Sequence, residues 1–206
     1  MNIGFVGCSF TQGAELVNRE ETRWSRLVCD KLRANELNSA LSGSSNEMIC
    51  MKAVEMSYKS RPDFLVVQFT TCIRFSLALD KMILAIGPNQ QARNKAEELI
   101  CKIAFSQEIS PPDWYKLFRW KALTLHSFLN ENKINHMFMY MLDYEPRTMM
   151  ADEYIPQSFK DRSVFVGMRE YCQKNNLPIG RFLHPLEEAQ KAIAYELVLP
   201  KIGSLV

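Results

Sequence analysis

Short apolar runs alternate with amphipathic segments along this chain of 206 residues, and this alternation restricts the fold more than any other feature. "NIGFVG" at 2–7, "RPDFLVVQF" at 61–69 and "INHMFMYML" at 134–142 are largely continuous apolar runs, which is typical of strands covered on both faces. Strands that alternate with helices form right-handed βαβ units. The sequence therefore predicts an α/β fold with a parallel sheet and helices on both faces.

The segments between these runs have helical spacing of their apolar residues. A brief strand is predicted within "ELNSALSGSSN" at 36–46. Helices are predicted in six segments: "ETRWSRLVCDKLRA" (21–34), "EMICMKAVEMSY" (47–58), "QARNKAEELICKIAF" (91–105), "DWYKLFRWKALTLHSFLNEN" (113–132), "SFKDRSVFVGMREYCQKNN" (158–176) and "HPLEEAQKAIAYELVL" (184–199). Because no Gly/Ser tract or charge block resembles a linker, we expect a single domain over 1–206, in which 73–132 is a helical insertion that matches no motif.

Charge and composition exclude several classes of protein. The formal net charge is +2, from 25 basic and 23 acidic residues, so electrostatics give no reason to expect nucleic acid or an anionic membrane as the main partner. No window approaches the roughly 18 apolar residues of a membrane span, and "MNIGFVGCSF" does not resemble a signal peptide. The six cysteines lack metal-ligand spacing. We expect a cytoplasmic protein with reduced thiols and no metal site built on its cysteines.

Three polar loops follow predicted strands, at 7–13, 42–46 and 70–74. The carboxyl ends of parallel strands share one edge of a sheet, where ligand sites in such folds lie. The first loop, "GCSFTQG", cannot be a phosphate-binding Walker loop, because Ala14 and Glu15 stand where Lys and Ser/Thr belong. The dinucleotide pattern GxGxxG is also absent, and this disfavours a nucleotide-binding module.

The same loop carries Ser9, which a nearby base would make a nucleophile. His184 is the best candidate, since it directly precedes Pro185, which suits the first helical position and would hold the histidine at a rigid helix entrance. His126, in a predicted helix, and His136, at the start of a strand, are more typical of structural histidines. Cys8 beside Ser9 is a rival nucleophile, although a small buried cysteine is the more common interpretation.

These motifs resemble those of a known family. "GCSFTQG" is similar to the GDS-type first block of the SGNH (GDSL-like) hydrolases, "NSALSGSSN" to their second block and "HPLEEAQKAIA" to their last block. The combination with "VVQFT" is closer still to SGNH-like proteins of bacteriophages. The resemblance implies a three-layer α/β/α sandwich with a flavodoxin-like sheet.

Carried over residue by residue, the resemblance makes Ser9 the nucleophile and His184 the general base. The amides of Ser9 and Gly43 become oxyanion-hole donors. The implied reaction is hydrolysis of an ester, an acyl or acetyl group on a lipid or sugar, through an acyl-enzyme and without a cofactor.

Two departures from the family pattern concern the site. Where the third block has an asparagine donor, this chain has Thr70 or Thr71, and Asn46 of the neighbouring loop is a candidate to substitute. Where the last block has an aspartate three residues before the histidine, this chain has Arg181.

A cation at position 181 cannot accept a hydrogen bond from the imidazole. The acid could instead be Asp143 or Glu145, a backbone carbonyl could replace it, or the site could be a bare Ser–His dyad. The leading hypothesis is thus an esterase that acts on a small-molecule or carbohydrate ester, with Arg74 and Arg181 as possible substrate contacts. The alternative is a catalytically weakened binding or virion-associated structural protein on the same scaffold.

Overall fold

The computed structural model describes residues 1–79, 82–86, 95, 98–99, 102 and 111–206. Five of its seven strands form one parallel sheet, and the other two form a separate antiparallel hairpin. The strands are β1 (Asn2–Val6), β2 (Asn35–Asn38), β3 (Phe64–Phe69), β4 (Phe75–Leu79), β5 (Met82–Ile86), β6 (Asn135–Tyr140) and β7 (Ser163–Gly167).

Helices connect the strands of the sheet and cover both of its faces. They are α1 (Ser9–Gln12), α2 (Arg19–Thr22), α3 (Trp24–Leu32), α4 (Asn46–Lys59), α5 (Pro111–Glu131), α6 (Tyr144–Ala151), α7 (Gln157–Asp161), α8 (Met168–Lys174), α9 (Glu187–Ala192), a π-helical segment (Ile193–Val198) and α10 (Leu199–Gly203). Within the described ranges, no helix has the length and apolarity needed to cross a membrane.

The sheet has the strand order β2-β1-β3-β6-β7. With the β4–β5 hairpin set aside, this is the flavodoxin-like order, in which the chain moves to one side of β1 and then returns to the other. The direction of the chain reverses between β1 and β3, and sheets of this kind bind ligands beyond the carboxyl ends of the strands at such a point. The loops at 7–13 and 70–74 follow these two strands and therefore lie at this point.

Two hydrophobic cores confirm the three-layer α/β/α sandwich. Alternate residues of β1, β3 and β6, among them Phe5, Val66 and Met139, pack on one face against α3, α8 and the C-terminal helices. Val67 and Phe138, on the opposite face, pack against α4 and α5. Every residue of β3 is buried, which explains its apolar run.

Several elements differ from the sequence prediction. The segment at 158–176, predicted to hold one helix, contains the two helices α7 and α8 with the strand β7 between them, and the strand was not predicted. Pro185 does not begin the last helix: it pairs with Ile179 in an isolated bridge, and α9 starts at Glu187. The predicted helix at 91–105 lies mostly outside the described residues. Within 73–132 the elements with described bounds are the β4–β5 hairpin and α5, and the buried apolar side chains of α5 belong to the second core.

Candidate functional site

Ser9 lies at the carboxyl end of β1, as the first residue of the single-turn helix α1. Its side chain is buried, and the preceding Gly7 allows this tight turn. A Cβ on Gly7 would stand 2.5 Å from Thr11 Oγ1 and 2.8 Å from Gln68 Oε1, so any larger residue would push the turn out of place. Ser9 therefore lies at the carboxyl edge of the sheet, and the tight turn at Gly7 fixes its position.

Gln68 holds this turn from the neighbouring strand. Its buried Oε1 accepts hydrogen bonds from Cys8 N (3.1 Å), Cys8 Sγ (3.2 Å) and Thr11 Oγ1 (3.0 Å), and its Nε2 donates to the Phe69 carbonyl (2.6 Å). Gln68 was not among the site residues predicted from sequence. The available signal was a glutamine in a strand that is otherwise apolar, because a buried amide needs partners.

Cys8 belongs to the core rather than to an exposed reactive position. Its side chain is fully buried between the Gln68 amide and Met141, with Sγ 3.9 Å from Met141 Sδ. This agrees with the interpretation of Cys8 as a small buried cysteine.

The three predicted edge loops contact one another, as expected. Leu41 N donates to the Gly7 carbonyl (3.1 Å), and Ser42 N donates to Gln12 Oε1 (3.0 Å). Arg74 Nη1 lies 3.3 Å from the Ser44 carbonyl and joins the second and third loops. The carboxyl ends of β1, β2 and β3 thus form one hydrogen-bonded edge.

Asn46 and Thr71, two predicted oxyanion-hole residues, are engaged with each other. Asn46 is buried, and its Nδ2 donates to the carbonyls of Thr70 (3.1 Å) and Thr71 (3.3 Å), while its Oδ1 accepts from Thr70 N (2.9 Å). The amide of Asn46 braces the turn after β3 and would have to release one of these carbonyls to donate to a ligand.

Gly43 differs from them, because it is exposed and has open space around it. Its φ is 82°, and a Cβ there would meet nothing within 4 Å. The left-handed backbone favours glycine at this position even though the surroundings would admit a side chain.

His184 lies in the loop between α8 and α9, next to the helix that carries Ser9. Its imidazole packs edge-to-face on Phe10, with ring centroids 5.4 Å apart. Its Nδ1 lies 2.7 Å from Glu15 Oε2. Within the described part of the chain, Nε2 has no hydrogen-bond partner, and Ser9 Oγ contacts Cys8 Sγ at 4.0 Å rather than the imidazole.

The carboxylate of Glu15 is enclosed by the His184 loop. It accepts hydrogen bonds from Phe182 N (3.0 and 3.1 Å) and His184 N (3.3 Å), and a Cβ on Gly180 would lie 2.7 Å from it. Desolvation raises the pKa of Glu15, but the hydrogen bonds from Phe182 and His184 outweigh it and the net shift is downward. Glu15 is therefore an ionised acceptor for His184 at neutral pH.

The acids considered from sequence make other contacts. Asp143 accepts a hydrogen bond from Gly167 N and pairs with Arg147, and Glu145 Oε1 accepts from Cys72 N (2.6 Å). Neither contacts His184, and within the described residues the imidazole bonds to neither of them nor to a backbone carbonyl. From the sequence, Glu15 was only a residue that disfavours phosphate binding, and its contact with His184 was not predicted.

Arg181 is exposed, with its guanidinium carbon 5.6 Å from the centroid of the Phe182 ring. Arg74, by contrast, donates to the Ser44 carbonyl and to Thr70 Oγ1 (3.2 Å). Arg74 thus helps to hold the sheet edge together, whereas Arg181 is an exposed residue of the loop that carries His184.

The other two histidines form a buried pair, as expected for structural residues. His126 Nδ1 and His136 Nε2 are 2.9 Å apart. Burial lowers the pKa of each to about 4, so both are neutral at pH 7. Among the described residues, no group of three or more His, Cys, Asp or Glu side chains is arranged to hold a metal ion.

No protein-family model and no curated protein matches the chain. Several solved structures are similar to it. TesA has a TM-score of 0.60 at 13% identity, with both chains covered completely. A member of the lipolytic G-D-S-L family from Veillonella parvula DSM 2008 has a TM-score of 0.52 at 14% identity over 95% of each chain. Axe2, an acetylxylan esterase from Geobacillus stearothermophilus, solved as a catalytic mutant, has a TM-score of 0.59 at 13% identity over 98% of this chain and 94% of its own. At these identities the likeness concerns the fold, and the chain has the α/β/α sandwich of these lipolytic and esterase structures.

Proposed function

We propose that this protein is an ester hydrolase of the SGNH type, in which Ser9 is the nucleophile and His184 the general base. The observation that carries the proposal is the contact of the His184 ring with Phe10, the residue directly after Ser9, at the carboxyl edge of the sheet. The order of the motifs along the sequence and the fold shared with solved esterases support the same assignment.

In the proposed reaction, Ser9 Oγ attacks the ester carbonyl carbon while His184 Nε2 takes the hydroxyl proton. The carbonyl electron pair moves onto oxygen, and the amide N–H groups of Ser9 and Gly43 stabilise the resulting oxyanion. Collapse of this intermediate expels the alcohol, which takes its proton from His184. Water then repeats the sequence on the acyl-enzyme, releasing a carboxylic acid and restoring the serine.

Formation of the Ser–His hydrogen bond requires the Ser9 hydroxyl to turn away from Cys8 Sγ. The present contact at 4.0 Å is weak, so little is lost when it breaks. Catalytic hydrogen bonds are often long in ligand-free enzymes and tighten when substrate binds. Thr71 and Asn46 complete the oxyanion hole only if their mutual hydrogen bonds rearrange, and we assign them a secondary part.

The proposed substrate is a small-molecule or carbohydrate ester, and the likeness to an acetylxylan esterase supports an acetylated sugar. Arg181, an exposed residue of the loop that carries His184, is the proposed contact for an anionic group on such a substrate, whereas Arg74 has its guanidinium engaged. The sequence likeness to phage-encoded proteins extends the proposal to a setting in the host cytoplasm or the virion.

A second candidate is a binding or structural protein that retains the scaffold without turnover. The observation in its favour is that, among the described residues, Ser9 Oγ is hydrogen-bonded to Cys8 Sγ and not to His184. The two candidates differ in whether Ser9 reacts with an electrophile.

The deciding experiment is labelling with a fluorophosphonate probe, followed by mapping of the adduct and by hydrolysis of p-nitrophenyl acetate. We expect labelling at Ser9 that disappears in Ser9→Ala and falls strongly in His184→Ala. Ser60→Ala, which changes an exposed serine at the end of α4, is the matched control and should label like the parent protein. Absence of both labelling and turnover in the parent protein would favour the binding scaffold.

A further inference from the structure

We infer that Glu15 is the positioning residue of the catalytic histidine. Glu15 lies in the loop that follows Ser9, and it takes the role of the acid whose family position is occupied here by Arg181. The inference rests on the proposed function, since it assigns the partner of the proposed base. It goes beyond the motif resemblance, which provides no acid at this position of the sequence.

The geometry around Glu15 meets the requirements for such a partner. Oε2 lies 2.7 Å from His184 Nδ1, and an ionised carboxylate can only accept, so Nδ1 carries the proton. The lone pair is therefore on Nε2, the nitrogen that a Ser–His mechanism needs as the base. Contact with Phe10 restrains the plane of the same ring.

The carboxylate is held by more than the histidine. Backbone N–H groups of Phe182 and His184 donate to it, so it is fixed relative to the loop that it orients. Gly180 provides the space, because a Cβ there would stand 2.7 Å from Cδ and Oε1 of Glu15. The side chains of Glu15 and His184 are 18% and 16% exposed, which keeps most water away from the pair.

The chain path that brings Glu15 to this position is unusual for a glutamate. After α1, Gly13 adopts φ 81° and Glu15 adopts φ 68°, so two left-handed residues reverse the chain. A left-handed conformation is unfavourable for a residue with a Cβ and persists where the surroundings enforce it. The loop after the proposed nucleophile is thus bent toward the His184 loop, and the Glu15 carboxylate joins the two.

Arg181 has no part in orienting the histidine. Its guanidinium lies over the Phe182 ring, and it forms no hydrogen bond to His184 within the described residues. Position 181 therefore needs no acid to orient the histidine, since the Glu15 carboxylate already bonds to Nδ1.

Glu15→Gln is the primary test, with Glu188→Gln as the matched control on an exposed glutamate of α9. Loss of the orienting carboxylate lowers kcat by about 10⁴-fold in a Ser–His–Asp site, and we expect a loss approaching that size with little change in KM. Gly180→Ala should produce the same pattern without altering any ionisable group, because its methyl group displaces the carboxylate. In the double variant Glu15→Gln/Arg181→Asp, an acid at the family position should raise kcat above that of Glu15→Gln alone.

A spectroscopic measurement keeps this inference separate from the proposed function. In ¹H–¹⁵N NMR we expect a low-field His184 Nδ1–H resonance in the parent protein, retained in Glu188→Gln and lost in Glu15→Gln. If the parent protein is not labelled and does not hydrolyse esters, the proposed function fails. Loss of the resonance in Glu15→Gln would still support the pairing of Glu15 with His184. If the parent protein is active but Glu15→Gln keeps its kcat and the resonance, the assignment of Glu15 is wrong and the proposed function stands.

Discussion

The buried pair of histidines and the histidine at the sheet edge use the same side chain in opposite ways. In the pair, His136 Nδ1 donates to the Ile134 carbonyl (2.8 Å), and its Nε2 accepts from His126 Nδ1 (2.9 Å). His126 Nε2 accepts in turn from Asn130 Nδ2 and Ser158 Oγ, both at 3.1 Å. This assignment of protons satisfies all four ring nitrogens of the pair with neutral rings.

His184 has one nitrogen bonded to a carboxylate and the other without a partner among the described residues. A fully bonded histidine can only stabilise the structure, whereas one with a free, correctly protonated nitrogen can accept a proton from a substrate or a serine. What distinguishes a candidate base in this molecule is therefore the unused Nε2 and the adjacent acid.

The largest expected effect comes from removing the edge histidine. His184→Ala should lower kcat for ester hydrolysis by about 10⁴-fold or more, because the base is lost. The free energy of unfolding should fall by only about 1–3 kcal/mol, since the Glu15 carboxylate loses one hydrogen bond but keeps its backbone donors from Phe182 and residue 184. Ester turnover and urea denaturation on the same samples measure the two quantities. A large fall in stability would show that this histidine, too, has a structural task.

The buried pair should behave in the reverse manner. His136 is fully buried, and His136→Ala leaves the His126 Nδ1–H and the Ile134 carbonyl unpaired beside a new cavity. We expect a loss of about 3–5 kcal/mol in the free energy of unfolding. Fluorophosphonate labelling of the remaining folded protein should be unchanged. Selective loss of labelling without loss of stability would contradict the structural assignment.

Acid should destabilise the protein through the same pair. Burial lowers the folded-state pKa of His136 from 6.5 to about 4, with Arg162 and His126 acting in the same direction against the Ile134 hydrogen bond. The unfolded state therefore binds more protons than the folded state between pH 6.5 and 4, and stability falls as the pH falls through this window. One such histidine accounts for about 2–3 kcal/mol between about pH 6.5 and 4.5.

Carboxyl groups complicate a direct reading of that pH dependence. Desolvation raises the pKa of Glu145 and of Glu170, which opposes the histidine effect above about pH 4.5. Because these carboxyls are present in both proteins, the difference in stability between the parent and His136→Ala cancels them. That difference should narrow by about 2–3 kcal/mol from about pH 6.5 to 4.5 in urea titrations. A difference that is constant with pH would mean that the pair is not neutral in the folded state.

The layers of this fold, and the loops that meet at the carboxyl edge of its sheet, could be predicted from the sequence. Strands buried on both faces leave continuous apolar runs, as β1, β3 and β6 do, and parallel topology brings the loops after them together. β7 was missed because its five residues lie between short helices, where the helical pattern of the flanks dominates a window of ordinary length.

The residues that support the site could not be found in the same way. Gln68 acts on Cys8, 60 positions away, and Glu15 acts on His184, 169 positions away. Patterns within a short window of the sequence do not indicate contacts between residues so far apart. A glutamine in a buried strand at least indicates that a partner must exist, whereas Glu15 lies in a short loop where a glutamate needs no partner and therefore gives no such signal. The family spacing predicts an acid at position 181, in the loop of His184. The carboxylate that contacts His184 is instead that of Glu15, in the loop after Ser9.

The smallest expected effect concerns the two hydrogen bonds that His126 Nε2 accepts, and it tests whether one of them is sufficient. Ser158 is an exposed residue whose hydroxyl donates to His126 Nε2, and Asn130 Nδ2 donates to the same nitrogen. Ser158→Ala should therefore cost only about 0.5–1.5 kcal/mol in urea denaturation, since the acceptor keeps one partner. Asn130→Ala serves as the reciprocal control and should cost a similar amount. If the double variant loses much more free energy of unfolding than the two single variants together, His126 Nε2 is then buried without any protein donor. If the losses are additive, water replaces the two missing donors.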